Sequence, residues 1–380
     1  MTDPFRQQIA ATARLIVVKV GSRVLTGSDG LLDAARIESL GSQIDTVCRA
    51  GRQVVLVSSG AVAAGVGRLG LSKRPTELAR LQAMAAVGQS CLIEAWERSL
   101  RRHGRHAAQV LLVADDLSDR SHYLNIRNTL RTLLEYGAVP VINENDTVST
   151  TELRTSFGDN DQLAALVASL LGANLLVLLS DVAGLYDRPP ENPEARVISR
   201  VDRIGTDIES LVLDRPGGVS KGGMGSKLTA AGIMTETGGH CIIAAGRDDG
   251  VLERICGGEA TGTLFVGRQT TVSAWKRWLG WSAEARGGLT VDAGAREAIV
   301  TAGRSLLAAG ITGLAGDFGE GDVVTISCEG APFARGLVNY PASDLARIVG
   351  LRTERIADVL GYCPYEEVIH RDNLAVICRN

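Results

Sequence analysis

Aromatic residues occupy only 4% of this 380-residue chain, so Val, Leu, Ile and Ala have to pack its core. Hydrophobic residues reach 45%, and aliphatic cores of this kind suit buried parallel sheets. Lysine is scarcer still. Only Lys19, Lys73, Lys221, Lys227 and Lys276 occur among the 40 basic residues, so a lysine in a glycine-rich turn is not easily dismissed as composition. No apolar run approaches the roughly 20 residues of a membrane span. Met1 to Arg14 lacks a basic stretch followed by an apolar one, which predicts no secretory signal. The 7 cysteines are odd in number and form no C-x-x-C pair, so neither a disulfide framework nor a zinc motif is expected. A reduced, cytoplasmic protein follows as the expectation. A net charge of −3 is not the profile of a general nucleic-acid or membrane binder.

The chain is long enough for two domains of roughly 100–200 residues each. Its first two-thirds alternate short apolar runs with amphipathic segments. Leu15–Val20, Gln53–Val57, Gln109–Val113, Val139–Ile142, Leu175–Leu179 and Cys241–Ala244 read as strands. Asp33–Ala50, Arg120–Tyr136, Asn160–Leu171 and Ser226–Thr237 read as helices, with further helical stretches between the second strand and Arg102. Such alternation predicts a mainly parallel sheet covered on both faces. After about Arg268 the pattern changes. Residues 269–285 read as a linker, and from Arg286 short, glycine-punctuated runs (Leu289–Val291, Val323–Ser327, Arg335–Val338, Ala375–Cys378) suggest a small, mostly β domain.

In open α/β sheets, ligands gather beyond the carboxyl ends of the strands. The first strand ends in Lys19-Val20-Gly21-Ser22. A lysine there is either an edge residue that snorkels to water or a phosphate contact beside a backbone that glycine leaves open. The second strand runs into Ser58-Ser59-Gly60-Ala61, which reads as a serine N-cap or as an anion site at a helix start. Asn143-Glu144-Asn145-Asp146 is either a solvated turn or a grip for an α-ammonium group. Gly158-Asp159-Asn160-Asp161 opens a helix with more acids and amides than a cap needs, and an acid there can orient lysines or hold Mg2+. Ser180-Asp181, followed by Gly184-Leu185-Tyr186, can read a base or ribose. Lys221-Gly222-Gly223-Met224-Gly225-Ser226-Lys227 is a flexible turn or a polyphosphate wrap. It is not a Walker A loop, because no Gly-Lys-Ser/Thr unit occurs.

Lys19 and Lys227 together suggest a reaction. Transferring a phosphoryl group to a carboxylate needs no general base, because the carboxylate is already a nucleophile. The obstacle is repulsion between two anions, which lysines and Mg2+ relieve. None of the 5 histidines stands out as a catalytic partner.

Through these six motifs, in this order, the chain resembles the amino-acid kinase family over nearly its full length, and within it the branch acting on the side-chain carboxylate of glutamate. The resemblance implies a three-layer αβα sandwich with an open, mainly parallel sheet over residues 1–268. It implies that Lys19 and Lys227 contact the ATP phosphates and that Asp161 organises both lysines, with Asp159 nearby. Ser59, Asp146 and Asn160 bind L-glutamate on this reading. Ser180, Asp181 and the loop Lys221, Gly222, Gly223, Met224, Gly225, Ser226, Lys227 bind ATP. Mg2+ is the implied cofactor, without identified ligands. A product feeding proline biosynthesis, feedback inhibition by proline, a homodimer or homotetramer, and glutamyl phosphate reductase as a possible partner are implied likewise. Two positions depart from the usual pattern: Ser180 stands where threonine is more common, and Lys221 where threonine is common. The competing readings are a sibling kinase acting on aspartate, acetylglutamate, carbamate or UMP, and an RNA-binding protein with a degenerate kinase domain.

Arg286-Gly287-Gly288-Leu289-Thr290-Val291-Asp292-Ala293-Gly294-Ala295 looks like the start of a PUA domain, a module that binds RNA in pseudouridine synthases and archaeosine transglycosylases. From Arg286 to Asn380, however, acids outnumber arginines twelve to nine and there is no lysine. RNA binding needs a basic face to neutralise phosphates, so charge favours a structural or regulatory role for residues 286–380.

Overall fold

The structure is a computed structural model and describes residues 3–113, 116–117, 120–148, 160–213, 223–268, 276 and 278–377. The chain separates into two compact units, one comprising Met1–Asp116 and Tyr123–Thr271 and the other Leu117–His122 and Val272–Asn380.

The larger unit is built on an eight-stranded sheet. Its strands are β1 (Leu15–Val20), β2 (Gln53–Ser58), β3 (Ala107–Leu112), β4 (Val139–Glu144), β5 (Leu175–Ser180), β6 (Arg200–Val201), β7 (His240–Ala245) and β8 (Thr263–Phe265). They lie in the order β3-β4-β2-β1-β5-β7-β8-β6. Every pairing from β3 to β7 is parallel; β8 runs antiparallel to β7, and β6 pairs parallel with β8. The helices are α1 (Pro4–Thr12), α2 (Ser22–Leu25), α3 (Ala34–Arg49), α4 (Ala61–Arg68), α5 (Leu78–Arg101), α6 (Arg120–Glu135), α7 (Asn160–Leu171), α8 (Thr206–Leu213), α9 (Met224–Glu236) and α10 (Val251–Cys256).

Strand periodicity sorts the side chains to two faces. Ile16, Val18 and Val20 of β1 join Leu56, Val177 and Leu179 in one apolar cluster, closed by Ile37, Leu40 and Ile44 of α3 and Leu92 and Trp96 of α5. Val17 and Lys19 point the other way, where Lys19 meets Asp161 of α7. Both faces are therefore covered, which is why the central strands are near-continuous aliphatic runs. β1 lies between β2 and β5, and the chain fills one side of it before crossing to the other. This switch point puts the ends of β1, β2, β4 and β5 side by side.

α4 and α5 approach each other closely. A Cβ on Gly88 would lie 1.8 Å from the Ala61 carbonyl oxygen, and one on Gly65 would lie 1.9 Å from that of Met84. Only hydrogen fits at either position, so the two helices meet backbone to backbone.

The smaller unit has a five-stranded sheet ordered β10-β9-β11-β12-β13. Its strands are β9 (Gly287–Val291), β10 (Ile311–Gly316), β11 (Val323–Cys328), β12 (Ala331–Leu337) and β13 (Leu374–Val376). Helices α11 (Ala293–Val300), α12 (Ala342–Ile348) and α13 (Ile356–Leu360) accompany it. Leu289, Val324, Ile326, Phe333, Tyr340 and Leu345 form its core. The sequence does not show β10, since Ile311-Thr312-Gly313-Leu314-Ala315-Gly316 buries only its first residue and carries no apolar run. α12 and α13 are too short to display a helical period.

Gly88→Ala forces a methyl group into the Ala61 carbonyl and is expected to cost about 2 kcal/mol or more of stability. Urea denaturation checks this; an unchanged midpoint is the opposite result.

Candidate active site

Asp161 is completely buried in the first turn of α7. Its Oδ1 lies 2.5 Å from Lys19 Nζ, and its Oδ2 accepts a hydrogen bond from Lys227 Nζ at 3.0 Å. Lys19 comes from the end of β1 and Lys227 from the first turn of α9, and both are buried. A buried charge is tolerable only when paired, and here one carboxylate serves two ammonium groups that would otherwise repel each other. Lys19 is thus not a snorkelling edge residue. The negative charge of Asp161 is also felt at β7, where the Cys241 thiol is held well above its ordinary 9.0, first by burial and then by Asp161. Chemically, the arrangement offers two cations at the head of the central strand, next to a glycine: a place to neutralise an anion.

The residue before Asp161 faces a different set of partners. Asn160 donates from Nδ2 to Ser59 Oγ at 2.8 Å and to Asn143 Oδ1 at 2.9 Å. Asn143 is buried in β4 and donates in turn from Nδ2 to Gln89 Oε1 at 2.8 Å. The Asn160 Oδ1 atom is buried and has no hydrogen-bond partner among the described residues. A buried acceptor without a partner is uncommon and marks a point where a ligand's donor can sit.

The two serines after β2 play separate parts. Ser58 is fully buried and accepts from Trp96 Nε1 at 2.9 Å, so it belongs to the packing of α5 on β2. Ser59 reaches Asn160. Neither caps α4, whose N-cap is Gly60 at φ +110°, a left-handed conformation that favours glycine. Asp146 stands beyond the end of β4, in a turn where Val148 N donates to the Asn145 carbonyl at 3.1 Å. Burial raises the Asp146 carboxyl from its ordinary 3.8 to about 6, partly offset by the charge of Arg74.

A third group lies at the end of β5. Ser180 Oγ donates to Asp181 Oδ1 at 3.0 Å, and Arg23 of α2 meets Asp181 Oδ2 at 2.7 Å. Burial alone would raise the Asp181 carboxyl, but hydrogen bonds from Arg23 and Ser180 hold it below its ordinary value. In the following loop, Leu185 N donates to the buried Thr263 Oγ1 of β8 at 2.8 Å. Gly184 packs there so closely that a Cβ would lie 2.6 Å from that hydroxyl.

The structure therefore brings together Lys19, Asp161 and Lys227; Ser59 and Asn160; and Ser180 with Asp181. Gly223 is the N-cap of α9, and Met224, Gly225 and Ser226 open that helix. Asp159, Lys221 and Gly222 lie outside the described residues. Gln89, Arg23 and Thr263 were not singled out by the sequence. Gln89 alone carries a readable signal: it falls on the apolar stripe of α5 marked by Leu81, Ala85, Leu92 and Trp96, where an aliphatic residue is expected.

Among the described residues, no group of three or more His, Cys, Asp or Glu is arranged to hold a metal ion. Each Asp161 oxygen already faces a lysine. Asp161→Asn would leave two buried ammonium groups without their counter-charge and is expected to lower stability by about 3–5 kcal/mol. Chemical denaturation reads this directly, and a wild-type midpoint would contradict the pairing.

A profile of the amino acid kinase family matches residues 14–245, and one of the PUA domain matches residues 287–360. Three similar curated relatives all bear the name Glutamate 5-kinase. That of Rhodopirellula baltica is 49% identical over 372 residues, covering 98% of this chain and 96% of its own. That of Syntrophus aciditrophicus is 45% identical, covering 99% of this chain and 97% of its own. That of Thioalkalivibrio sulfidiphilus is 48% identical, covering 98% and 99%. With a buried lysine–aspartate–lysine group at the head of a parallel sheet, and with these matches along its length, the chain belongs to the amino acid kinase family.

Proposed function

We propose that the chain catalyses the reaction its relatives' name states, transfer of the γ-phosphoryl group of ATP to the side-chain carboxylate of L-glutamate. The observation that carries this reading is the Asp161 carboxylate holding Lys19 and Lys227 at the carboxyl end of β1. A carboxylate oxygen of glutamate attacks the γ-phosphorus, the bond to the bridging oxygen breaks, and ADP leaves with the electron pair. L-glutamyl 5-phosphate is formed and no proton has to be removed. Negative charge gathers on the transferring group and the leaving oxygen, and the two ammonium groups meet it there.

Asp161 keeps both lysines in place rather than touching substrate. Ser59, Asn160 and Asp146 take the amino-acid end of glutamate, with Asn160 Oδ1 and the Asp146 carboxylate as acceptors for its ammonium group. Ser180, Asp181 and residues 221–227 take the nucleotide. Mg2+ would supply positive charge that eases the approach of the two anions; among the described residues, no group of three or more His, Cys, Asp or Glu is arranged to hold it. The product is the first intermediate of proline biosynthesis, an acyl phosphate suited to capture by glutamyl phosphate reductase. Proline competes at the glutamate site, and the active form is a homodimer or homotetramer. The acidic balance of residues 286–380 favours a structural or regulatory part for that unit over RNA binding.

Incubation with ATP, Mg2+, glutamate and hydroxylamine should yield γ-glutamyl hydroxamate. Product with aspartate but not glutamate would move the assignment to a sibling kinase, and no product with any carboxylate would remove the kinase reading. Lys227→Ala should lower kcat by about 100-fold or more while leaving the KM for glutamate within about threefold. An unchanged kcat would take Lys227 out of the mechanism.

Asp146 sets a pH dependence. Its carboxyl, raised to about 6, is ionised at pH 7.5 and mostly protonated at pH 5. Because the ammonium group needs the ionised form, the KM for glutamate should rise as pH falls through 6. In Asp146→Asn it should be high and flat across that range. The same shift opposes stability at neutral pH: its favourable contribution is full below 3.8 and is lost as pH rises through about 6. A wild-type KM profile that stays flat from pH 7.5 to 5 would exclude Asp146 as the ammonium partner.

A further inference from the structure

We propose that Gln89 is a positioning residue that sets the hydrogen-bond polarity of the glutamate pocket through Asn143 and Asn160. The inference rests on the reading of Ser59 and Asn160 as part of the glutamate site.

A primary amide has one end that only accepts and one that only donates. Gln89 Oε1 accepts from Asn143 Nδ2 at 2.8 Å, which fixes the nitrogen of Asn143 toward α5. The oxygen of Asn143 must then face the other way, where it accepts from Asn160 Nδ2 at 2.9 Å. The second hydrogen on that nitrogen goes to Ser59 Oγ at 2.8 Å. Both N–H groups of Asn160 are now used, and its Oδ1 is left buried without a partner among the described residues. The series ends in an acceptor, and the ligand group it suits is a donor such as an α-ammonium.

The direction of the series depends on its first member. Without the Gln89 oxygen, Asn143 can turn its amide over, and its N–H groups would then face those of Asn160. Asn160 would have to turn as well, which would expose a donor where the substrate also has a donor. Gln89 is well placed to prevent this. It is 8% exposed, and it follows Gly88, whose backbone contact with α4 fixes the spacing between α4 and α5. Its own Nε2 has no hydrogen-bond partner among the described residues, so the side chain is present for its oxygen. An aliphatic residue would fill this place on the apolar stripe without the cost of burying an amide.

Steady-state kinetics on the full-length protein, with glutamate and ATP varied in turn, tests the proposal. Gln89→Met keeps the volume and removes the acceptor. It should raise the KM for glutamate on the order of tenfold, the equivalent of one oriented hydrogen bond, with kcat and the KM for ATP within about twofold. Gln89→Glu keeps the acceptor oxygen and replaces only the partnerless nitrogen, so its KM should stay within about threefold of wild type. Asn143→Ala should raise the KM for glutamate, and adding Gln89→Met to it should change nothing further, because the two residues act in series. Multiplying effects in the double variant would overturn the proposal. So would a Gln89→Met that lowers kcat and melting temperature at unchanged KM. Asn160→Ala in the same assay separates the two levels: an unchanged KM for glutamate there removes the site itself, whereas a raised one beside a wild-type KM in Gln89→Met removes only the role of Gln89.

Discussion

One buried carboxylate holds the centre of the larger unit together. Asp161 sits where β1, α7 and α9 converge, and each of these elements contributes one member of the lysine–aspartate–lysine group. Two ammonium groups this close would drive the strand and the helix apart if left alone. With the carboxylate between them they become a tie across the sheet face, so the charges that the proposed reaction draws on also fix the elements that carry them. The cost of bringing three ions out of water falls on the rest of the fold, which meets it with an aliphatic core on both sheet faces.

Consecutive positions on a helix point about 100° apart. Asn160 and Asp161 use this divergence. Asn160 turns to Ser59 and Asn143 at the ends of β2 and β4, while Asp161 turns to Lys19 and Lys227. One helical turn thus addresses two networks at once. The separation between the amide network and the lysine–aspartate–lysine group is set by backbone geometry, not by flexible side chains.

Much of this was legible in the sequence because it depends on local chemistry. Aliphatic runs followed by Gly, Ser, Asn or Asp gave the strands and their polar ends, and the scarcity of lysine drew attention to Lys19 and Lys227. What was hidden depends on partners distant along the chain. Ser58 and Ser59 look alike in sequence, yet one is taken by Trp96 and the other by Asn160. Arg23 gains its meaning only from Asp181, and Thr263 only from the Leu185 amide. β8 and β6 are too short to show a period, and their antiparallel turn at the sheet's edge follows from tertiary pairing alone.

The glycine contact between α4 and α5 has a bearing beyond packing. Because Gly65 and Gly88 let the two backbones touch, the spacing of these helices is set by atoms that have no rotamers and cannot adapt. Gln89 is the next residue, so the reach of its amide into the polar series is referenced to a hard stop. Under the proposed function, recognition of a small, flexible amino acid would be calibrated by a mechanical datum, much as an instrument's scale is read from a fixed shoulder and not from a spring. Drift in the surrounding side chains can alter the core of this unit without moving the mark from which its pocket is measured.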